Sequence, residues 1–506
     1  MFKPLYEPVQ QAGEIDIMPI DLIEFNSQGR LLIIGSSQQI ASVSPHLSNL
    51  SLNSTTQTPL KISGWLGAFK VELASHESIT VDLVLDLSEQ SVMTTKVLPL
   101  GYFAPQDNAQ ALVEALQQLP DLTGTFDKPK YFNYQASICA HSQRQLQGCS
   151  HCIDACPAEA IISAGDHVQV NLSLCQGCGS CTAVCPSGAM TYALPTLDVS
   201  LNRLRTMLQA YFDLANTPPQ LLIYDLAQGQ TLLDVMGEQL ADNVISFSIE
   251  EIGALAMPFY LATLAYGVAG ITVWDAGSHS DHDWQELQQE INKTNQLLTG
   301  LAYQDDLVTF CADTKISTLG EYVQSHTIMP KIERASFAGL DDKRRMITIA
   351  LDHLHQRAPK PVEVLTLSAD AAFGIVKVDT SNCTLCHSCV SVCPMGALLD
   401  GGEQPQLNFI EDRCVQCGLC ETACPEKVIN LIPQYTFDRQ QARKIKVLHQ
   451  EAIFHCISCN KGFAAQKMID TMMIKLKDHA LFQGDALNRL KMCEDCRVKA
   501  IFKDSQ

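Results

Sequence analysis

Basic residues are scarce in this 506-residue chain: 35 Lys and Arg face 55 Asp and Glu, which gives a formal net charge of −20. A surface of that sign repels nucleic acid phosphates and anionic membranes, and it favours partners with a basic patch. The sequence contains no dinucleotide-binding glycine fingerprint and no phosphate-binding loop. Its first residues, MFKPLYEPVQ, lack the basic and then apolar pattern of a secretory signal. We therefore expect a cytoplasmic protein that binds no nucleic acid.

Long apolar runs without charge are also rare, and one of them needs a test as a membrane span. Residues 252–274 carry no charge, but Pro258, Gly267 and Gly270 interrupt them. The pattern predicts a helix that ends near Gly267, then a turn and a strand. A helix of about 15 residues rises only about 22 Å, which is less than the roughly 30 Å core of a bilayer. We expect a buried α/β segment and no transmembrane segment.

Cysteine is abundant, and its arrangement carries most of the information. Twenty of the 21 cysteines fall into close runs, and the total is odd, which is not typical of a disulfide framework. The remaining one, Cys311, ends a strand-like run and is expected to be a small buried apolar residue. Free thiols that await a metal fit a reducing compartment. The apolar fraction of 46% is enough for several packed cores.

The chain divides into five predicted parts, which make a multidomain protein of mixed α+β and α/β class. Strand-like and helix-like runs predict an α/β class for the first and central domains, and their alternation in the central domain predicts a parallel sheet there. In the first domain these runs are strands at 31–35 and 81–87 and a helix at 108–119; in the central domain a helix follows Ser200, read as its N-cap. The predicted parts are an N-terminal α/β domain (1–127), a first cysteine module (128–197), a central α/β domain (198–375), a second cysteine module (376–435) and a C-terminal tail (436–506).

The second module repeats the spacing C-x2-C-x2-C-x3-C-P twice. This is the run of bacterial ferredoxins that hold two [4Fe–4S] clusters, in which the fourth cysteine of each run serves the other cluster. The spacing therefore predicts one cluster on Cys383, Cys386, Cys389 and Cys424 and another on Cys414, Cys417, Cys420 and Cys393. Structural zinc sites use two C-x2-C pairs rather than eight cysteines in this order.

The first module is regular only in its second half. The regular half predicts a cluster on Cys175, Cys178, Cys181 and Cys156. In the other half Leu146 stands where the first ligand is expected, and Cys139 lies seven residues further back. Either the loop is expanded and Cys139 still binds, or the site holds a three-iron cluster. We favour the expanded loop, because surface loops absorb insertions easily, which predicts a cluster on Cys139, Cys149, Cys152 and Cys185.

The tail carries two further pairs, Cys456 with Cys459 and Cys493 with Cys496. Two distant C-x2-C pairs are typical of one tetrahedral Zn²⁺ site, so we expect a small zinc-ribbon-like element. A fifth cluster is the alternative. The lysines and arginines of the tail make it a candidate contact for an acidic partner.

Segments between and around the cysteines add a family resemblance. The chain resembles the multi-cluster 4Fe-4S ferredoxin-type proteins that are encoded alongside formate dehydrogenases in proteobacteria. The segments that carry this resemblance are DLVLDLS (82–88), GYFAP (101–105), KPKYFNY (128–134), CAHS (139–142), GCSHCIDACPAEAI (148–161), CQGCGSCTAVCPSGAMTY (175–192), CTLCHSCVSVCPMGAL (383–398) and MCEDCR (492–497). In that family CAHS belongs to the first module, which the resemblance offers as support for Cys139.

These observations predict a soluble electron-transfer protein with four [4Fe–4S] clusters and one Zn²⁺. The resemblance implies a formate dehydrogenase, or its electron-transfer subunits, as the redox partner. A maturation scaffold for a molybdenum or tungsten formate dehydrogenase and an electron-transfer subunit of a larger redox enzyme are the alternatives. No residue is predicted to be catalytic, and a non-catalytic carrier is favoured over an enzyme.

Overall fold

The computed structural model of the protein describes residues 6–14, 20–226, 229–231, 233, 240–277, 284–312, 319, 322–323 and 328–503. The chain forms two compact units. One comprises residues 1–134, 151–164 and 168–357, and the other comprises residues 135–150, 165–167 and 358–506. We call them the first and second units.

The elements are numbered in chain order over the described residues. The helices are α1 (Tyr6–Ala12), α2 (Ser37–Val43), α3 (Ala109–Gln118), α4 (His151–Asp154), α5 (Ser180–Val184), α6 (Leu197–Leu214), α7 (Met257–Ala265), α8 (Gln285–Gly300), α9 (Lys343–Gln356), α10 (Ser388–Ser391), α11 (Leu419–Ala423), α12 (Arg439–Arg443), α13 (Gln466–Leu476), α14 (Asp485–Arg489) and α15 (Glu494–Lys503).

The strands are short and form several small sheets in the two units. They are β1 (Leu22–Ser27), β2 (Arg30–Ile34), β3 (Ser51–Thr55), β4 (Lys61–Ser63), β5 (Phe69–Glu72), β6 (Ser78–Val81), β7 (Leu83–Asp86), β8 (Tyr102–Phe103), β9 (Gly124–Pro129), β10 (Phe132–Tyr134), β11 (Ser142–Gln143), β12 (Leu146–Gln147), β13 (Ile161–Ser163), β14 (Val168–Val170), β15 (Met190–Tyr192), β16 (Gln220–Asp225), β17 (Val244–Ile249), β18 (Gly270–Trp274), β19 (Val308–Cys311), β20 (Val364–Thr366), β21 (Gly374–Val378), β22 (Leu398–Gly401), β23 (Gln404–Phe409), β24 (Ile429–Thr436), β25 (Lys446–Gln450), β26 (Ile453–His455) and β27 (Gly462–Ala465).

The N-terminal part of the first unit is built on a parallel sheet of order β3-β2-β7-β8. Leu31 to Ile34 are at most 1% exposed, as expected for a parallel strand covered on both faces. The predicted helix is confirmed as α3, which the Asn108 side chain caps. The predicted strand 81–87 is split at Asp82, whose buried carboxylate accepts hydrogen bonds from the backbone N–H groups of Gln28 and Arg30.

The central part of the first unit contains a second parallel sheet, of order β17-β16-β18-β19, which confirms the predicted arrangement. All nine residues of α7 are buried, and the chain turns at Gly267, whose φ is 97°. Cys311 ends β19 and is 6% exposed within an apolar cluster, as the sequence indicates. Among the described residues, no helix combines the length and the apolarity that a membrane span requires.

One local prediction is wrong. Ser200 does not cap the helix that follows the first module, because α6 begins at Leu197 and its N-cap is Thr196. Pro195 precedes the cap, where it supplies no backbone N–H, and Thr196 itself is extended. Ser200 lies within the first turns and is 5% exposed. The helix buries one apolar face, which includes Leu201, Leu204, Leu208 and Tyr211.

The second unit consists of small antiparallel sheets around the second cysteine module. Strand β24 pairs with β20 and β21, and β23 pairs with β22 and β25. Strand β25 belongs to the predicted tail, and Lys446 at its start forms an ion pair with the buried Glu411 (2.7 Å). The first part of the tail therefore packs as an edge of the second module.

Candidate iron–sulfur and metal sites

Six of the eight cysteines of the second module gather at its apolar core. Four of them are buried within the core cluster (Cys383, Cys389, Cys414 and Cys420), and Cys393 and Cys424 pack against it. Cys386 is exposed. The short helices α10 and α11, which carry the third cysteine of each run, contact each other. The structure therefore brings both runs to one core.

The electrostatic neighbours of these thiols match the predicted crossing of the fourth cysteine. Burial, and then the thiolates of Cys386, Cys383 and Cys424, raise the pKa of Cys389 to about 12. Burial, and then the thiolates of Cys414 and Cys393, raise the pKa of Cys417 to about 11 against the opposing hydrogen bond of a backbone N–H. Each run thus lies within electrostatic range of the fourth cysteine of the other run.

The cysteines that precede proline share one local structure in all four runs. The residue three positions after each of these cysteines has a positive φ, and a backbone N–H four or five residues after it donates a hydrogen bond to the sulfur. The donors are Ala160 to Cys156 (3.3 Å), Met190 to Cys185 (3.4 Å), Ala397 to Cys393 (3.2 Å) and Val428 to Cys424 (3.5 Å). Such hydrogen bonds stabilise the thiolate form, which a cysteine must adopt to bind a metal.

The regular half of the first module forms an enclosed site. Cys156, Cys175, Cys178 and Cys181 line one cavity of about 90 Å³, the same four residues that the spacing predicts. Among the apolar residues of its wall are Val97, Phe132 and Met190, and Glu251 is one acidic residue that lines it. The cavity exceeds the roughly 30 Å³ share of one water molecule. Four convergent thiols in an apolar wall suit the thiolate-only coordination of a [4Fe–4S] cluster.

The thiols of this site are hard to ionise by themselves. Burial raises the pKa of Cys178 to about 12 and the pKa of Cys181 well above its usual value. Metal ligation requires thiolates, so assembly of a cluster here is expected to release protons. The positive charge of the irons is what makes four buried thiolates tolerable.

The central α/β part of the first unit positions this loop. A Cβ atom at Gly179 would lie 2.5 Å from Cα of Ala254, in the 3₁₀ turn Ile252–Ala254. Gly179 also has a φ of 73°, so both its conformation and its close packing require glycine. At the carboxyl end of α5, Lys343 donates hydrogen bonds to the carbonyl groups of Thr182 (3.1 Å) and Ala183.

A hairpin explains the irregular spacing after Cys139. Strands β11 and β12 pair within the insertion, and two hydrogen bonds close its base, from Gly148 to His141 (2.7 Å) and from Cys149 to Ala140 (2.9 Å). The chain leaves at Ala140 and returns next to it at Cys149. Because the hairpin folds back on itself, the nine residues between Cys139 and Cys149 span only a short distance in space.

Cys139 also has the backbone setting of a regular first ligand. It follows the 3₁₀ turn Ala136–Ile138 with φ −73° and ψ 129° and is 7% exposed. Cys414, the first cysteine of a regular run, follows the turn Glu411–Arg413 with φ −71° and ψ 132°. Both amides bond to the carbonyl three residues earlier.

The remaining predicted set is divided between the units. Cys139 and Cys149 belong to the second unit, and Cys152 and Cys185 belong to the first. The joint ligation of one cluster by these four cysteines stays a prediction.

Sequence reasoning missed the charged residues around these loops. Lys128 donates to the carbonyl groups of Ser173 (2.9 Å) and Cys175 (2.6 Å), and burial lowers its pKa to about 8 against the opposing effect of the Cys175 thiolate. Lys343 and Glu251 likewise lie far from the cysteines in sequence. The one available signal was weak: Lys128 begins the segment KPKYFNY that contributes to the family resemblance.

The tail brings its two cysteine pairs together. The sulfur atoms of Cys456, Cys459, Cys493 and Cys496 all lie within 4.8 Å of one another. Four thiolates on one Zn²⁺ at about 2.3 Å are roughly 3.8 Å apart, whereas the thiolates of a cubane bind four separate irons. Within the described ranges, this is the single group of such side chains that is this compact. The spacing therefore fits one metal ion better than a fifth cluster.

Backbone N–H donors prepare the first cysteine pair of the tail, Cys456 and Cys459, for a metal ion. The hairpin of β26 and β27 presents Cys456 and Cys459, and Cys493 and Cys496 lie at the start of α15. Burial opposes ionisation of Cys456, but backbone N–H groups of Cys493, Cys459 and Ser458 lower the pKa of its thiol to about 6. A thiolate at this position attracts a cation.

Comparison with protein-family models identifies both cysteine modules. Residues 382–429 match a model described as a 4Fe-4S dicluster domain, and residues 147–189 match a second model of the same description. The second match begins after Cys139. The chain therefore carries two 4Fe-4S dicluster ferredoxin domains and is an iron–sulfur protein, and these domains support a role in electron transfer.

The role of Cys139 can be tested by the substitution Cys139→Ala. If the hairpin delivers Cys139 as a ligand, the anaerobically purified variant is expected to lose between one and four irons per chain, because a cluster that lacks one thiolate is lost or reduced to three irons. Iron and sulfide analysis with electron paramagnetic resonance measures this loss. Cys311→Ala is the matched control, since Cys311 lies outside every run, and its iron content should equal that of the unsubstituted protein. Equal iron in both variants contradicts the assignment of Cys139.

The tail site predicts a separate outcome for Cys493→Ala. The variant is expected to lose about one zinc per chain and to keep its iron, because the four clustered thiols hold one ion that is not part of a cluster. Elemental analysis of the same sample gives both metals. A fall of about four irons at constant zinc would instead identify a fifth cluster.

Proposed function

We propose that the protein carries four [4Fe–4S] clusters and relays electrons to or from a formate dehydrogenase-type redox partner. The observation that carries the cluster assignment is the cavity shared by Cys156, Cys175, Cys178 and Cys181, one of the four sets predicted from spacing. The other three proposed sets are Cys139, Cys149, Cys152 and Cys185; Cys383, Cys386, Cys389 and Cys424; and Cys414, Cys417, Cys420 and Cys393. Clusters of this kind supply one-electron carriers of low potential.

The residues of the chain have three tasks in this function. The thiolates hold the irons, the backbone N–H donors after each C-P pair stabilise charge on the ligand sulfur, and the apolar walls exclude water from the site. These are the levers by which proteins set the potential of a cluster. No side chain needs to act as an acid, a base or a nucleophile, which favours a carrier over an enzyme.

The tail is proposed to bind one Zn²⁺ and to contact the partner. Residues 436–506 contain 13 Lys and Arg against 8 Asp and Glu, whereas the rest of the chain contains 22 against 47. Exposed apolar side chains accompany this positive charge, among them Ile474 (68%) and Leu481 (77%). A basic surface with apolar anchors suits an acidic protein partner.

A formate dehydrogenase is proposed as that partner because of the family resemblance, and the exposed tail surface also favours a second candidate function. In that alternative the protein is a docking or maturation scaffold for a molybdenum or tungsten formate dehydrogenase. Removal of the whole tail cannot separate the two, because β25 pairs with β23 of the second module. Substitutions at exposed tail residues such as Leu481 leave that sheet intact.

The proposal predicts about 16 irons per chain and one-electron reduction by the partner. Anaerobic protein is mixed with purified formate dehydrogenase and formate, and the loss of cluster absorbance is followed by stopped flow. Reduction is expected at a rate that falls with ionic strength and falls several-fold in Leu481→Glu, while reduction by dithionite is unchanged in that variant. Glu77→Gln, on an exposed turn of the first unit, serves as the control.

Two results would contradict parts of this proposal. Far fewer than about a dozen irons per chain would overturn the cluster assignment. Full reduction by dithionite without any reduction by formate and the dehydrogenase would reject the carrier role with this partner, and binding of the partner under those conditions would favour the scaffold.

A further inference from the structure

Two lysines from outside the cysteine runs bond to equivalent backbone positions of the two modules. Nζ of Lys128, on β9, lies 2.9 Å from the carbonyl oxygen of Ser173. Nζ of Lys467, on α13, donates to the carbonyl of Ser381 and to that of Thr380 (3.2 Å). Ser173 and Ser381 each stand two residues before the first cysteine of a C-x2-C-x2-C run. The same carbonyl therefore receives an ammonium group in both modules.

A shared turn presents this carbonyl. The amide of Cys175 bonds to the carbonyl of Asn171 (3.2 Å), and the amide of Cys383 bonds to that of Asp379 (3.1 Å). The side chain at the same position accepts the amide of the serine, at 3.0 Å for Asn171 and 2.9 Å for Asp379. This is an Asx turn. It leaves the serine carbonyl free of the turn and available to a donor from elsewhere.

The two lysines reach this position from unrelated elements. Lys128 comes from a strand 45 residues before Ser173, and Lys467 comes from a helix 86 residues after Ser381. Neither is part of the local cysteine motif. Their acceptors are neutral carbonyl groups, so these bonds hold the ammonium without cancelling its charge. A cation beside the first thiolate of a run is thus provided twice by different means.

We propose that Lys128 and Lys467 are positioning residues whose positive charge raises the reduction potentials of the clusters on the Cys175 and Cys383 runs. This inference rests on the proposed function. One-electron reduction adds a negative charge to the site, and a fixed cation nearby stabilises the reduced state relative to the oxidised one. Both lysines already interact electrostatically with the first thiolate of their run, Cys175 and Cys383.

The two effects are expected to differ in size. The contact of Lys128 is partly buried, its ammonium lies 4.9 Å from the ring centre of the buried Phe25, and Asn171 in its turn is neutral. The contact of Lys467 is exposed, and the carboxylate of Asp379 lies close enough to interact with it. Water and an opposite charge both weaken the field of a cation. Lys128 should therefore have the larger influence.

The test is a redox titration of Lys128→Met and Lys467→Met at pH 7, with dithionite as the reductant and mediators, followed by electron paramagnetic resonance. At a fixed potential the ratio of reduced to oxidised centre is expected to fall several-fold for one cluster in Lys128→Met and by less in Lys467→Met. Lys128→Arg and Lys467→Arg keep the charge and should titrate close to the unsubstituted protein. Lys477→Met is the matched control, because Lys477, the residue just after α13, lies about 15 Å from Lys467, beyond the screening length of the buffer.

Iron and sulfide analysis separates the possible failures. If both methionine variants hold normal iron and their reduction potentials are unchanged or raised, this inference alone is overturned. The same follows if the potentials of the arginine variants fall as far as those of the methionine variants. Absence of clusters from the unsubstituted protein overturns the proposed function, and this inference with it. If Lys128→Met loses iron, Lys467→Met decides the question, because the hydrogen bonds of Lys467 lie in an exposed contact and its half-buried side chain is not part of the apolar core.

Discussion

Negative charge in an apolar surrounding is the constraint on which the rest of this structure depends. A cluster site needs four thiolates, yet burial, and then the negative charges nearby, raise the pKa of Cys178 to about 12 and that of Cys389 to about 12. Nothing but a strongly positive centre makes such a set of thiolates stable at neutral pH. The protein contributes smaller compensations around that centre: an N–H donor to the sulfur of each C-P cysteine and ammonium groups on the carbonyls of the loops.

The predictable part of the site is the part that local backbone geometry fixes. The spacing of Cys175, Cys178 and Cys181 identifies three of the cysteines that line the first cavity, and the fourth, Cys156, follows from the crossing rule of paired clusters. The parallel sheet of the central part was predictable for a similar reason, since its strands β16, β17 and β18 are almost completely buried, largely apolar runs. The start of α6 was not, because Ser200 and Thr196 are both acceptable caps by residue type, and the helix extends one turn further back, with Asp198 in its first turn.

The less predictable part depends on contacts between distant segments. The sequence shows only that Cys139 stands too far from Cys149, whereas the structure supplies a paired hairpin that removes the interval. Lys128 is a further example, because no pattern links a lysine on β9 to a carbonyl 45 residues later. The tail shows the same limit. Its composition suggested a separate element, but β25 completes a sheet of the second module and Lys467 reaches the first loop of that module.

Burial and charge act in opposite directions on a cluster, and their balance is set separately in each module. An apolar wall disfavours the additional negative charge of the reduced state, while a nearby cation favours it. The first module surrounds its cavity with Phe132, Val97 and Met190 and holds Lys128 in a partly buried contact, where its field is least screened. The second module leaves Cys386 exposed and holds Lys467 in an exposed contact. Burial raises the pKa of Cys178 in the first module and of Cys389 in the second, so both modules set a compensating cation against the penalty of burial. The better shielded contact of Lys128 should make this compensation stronger in the first module.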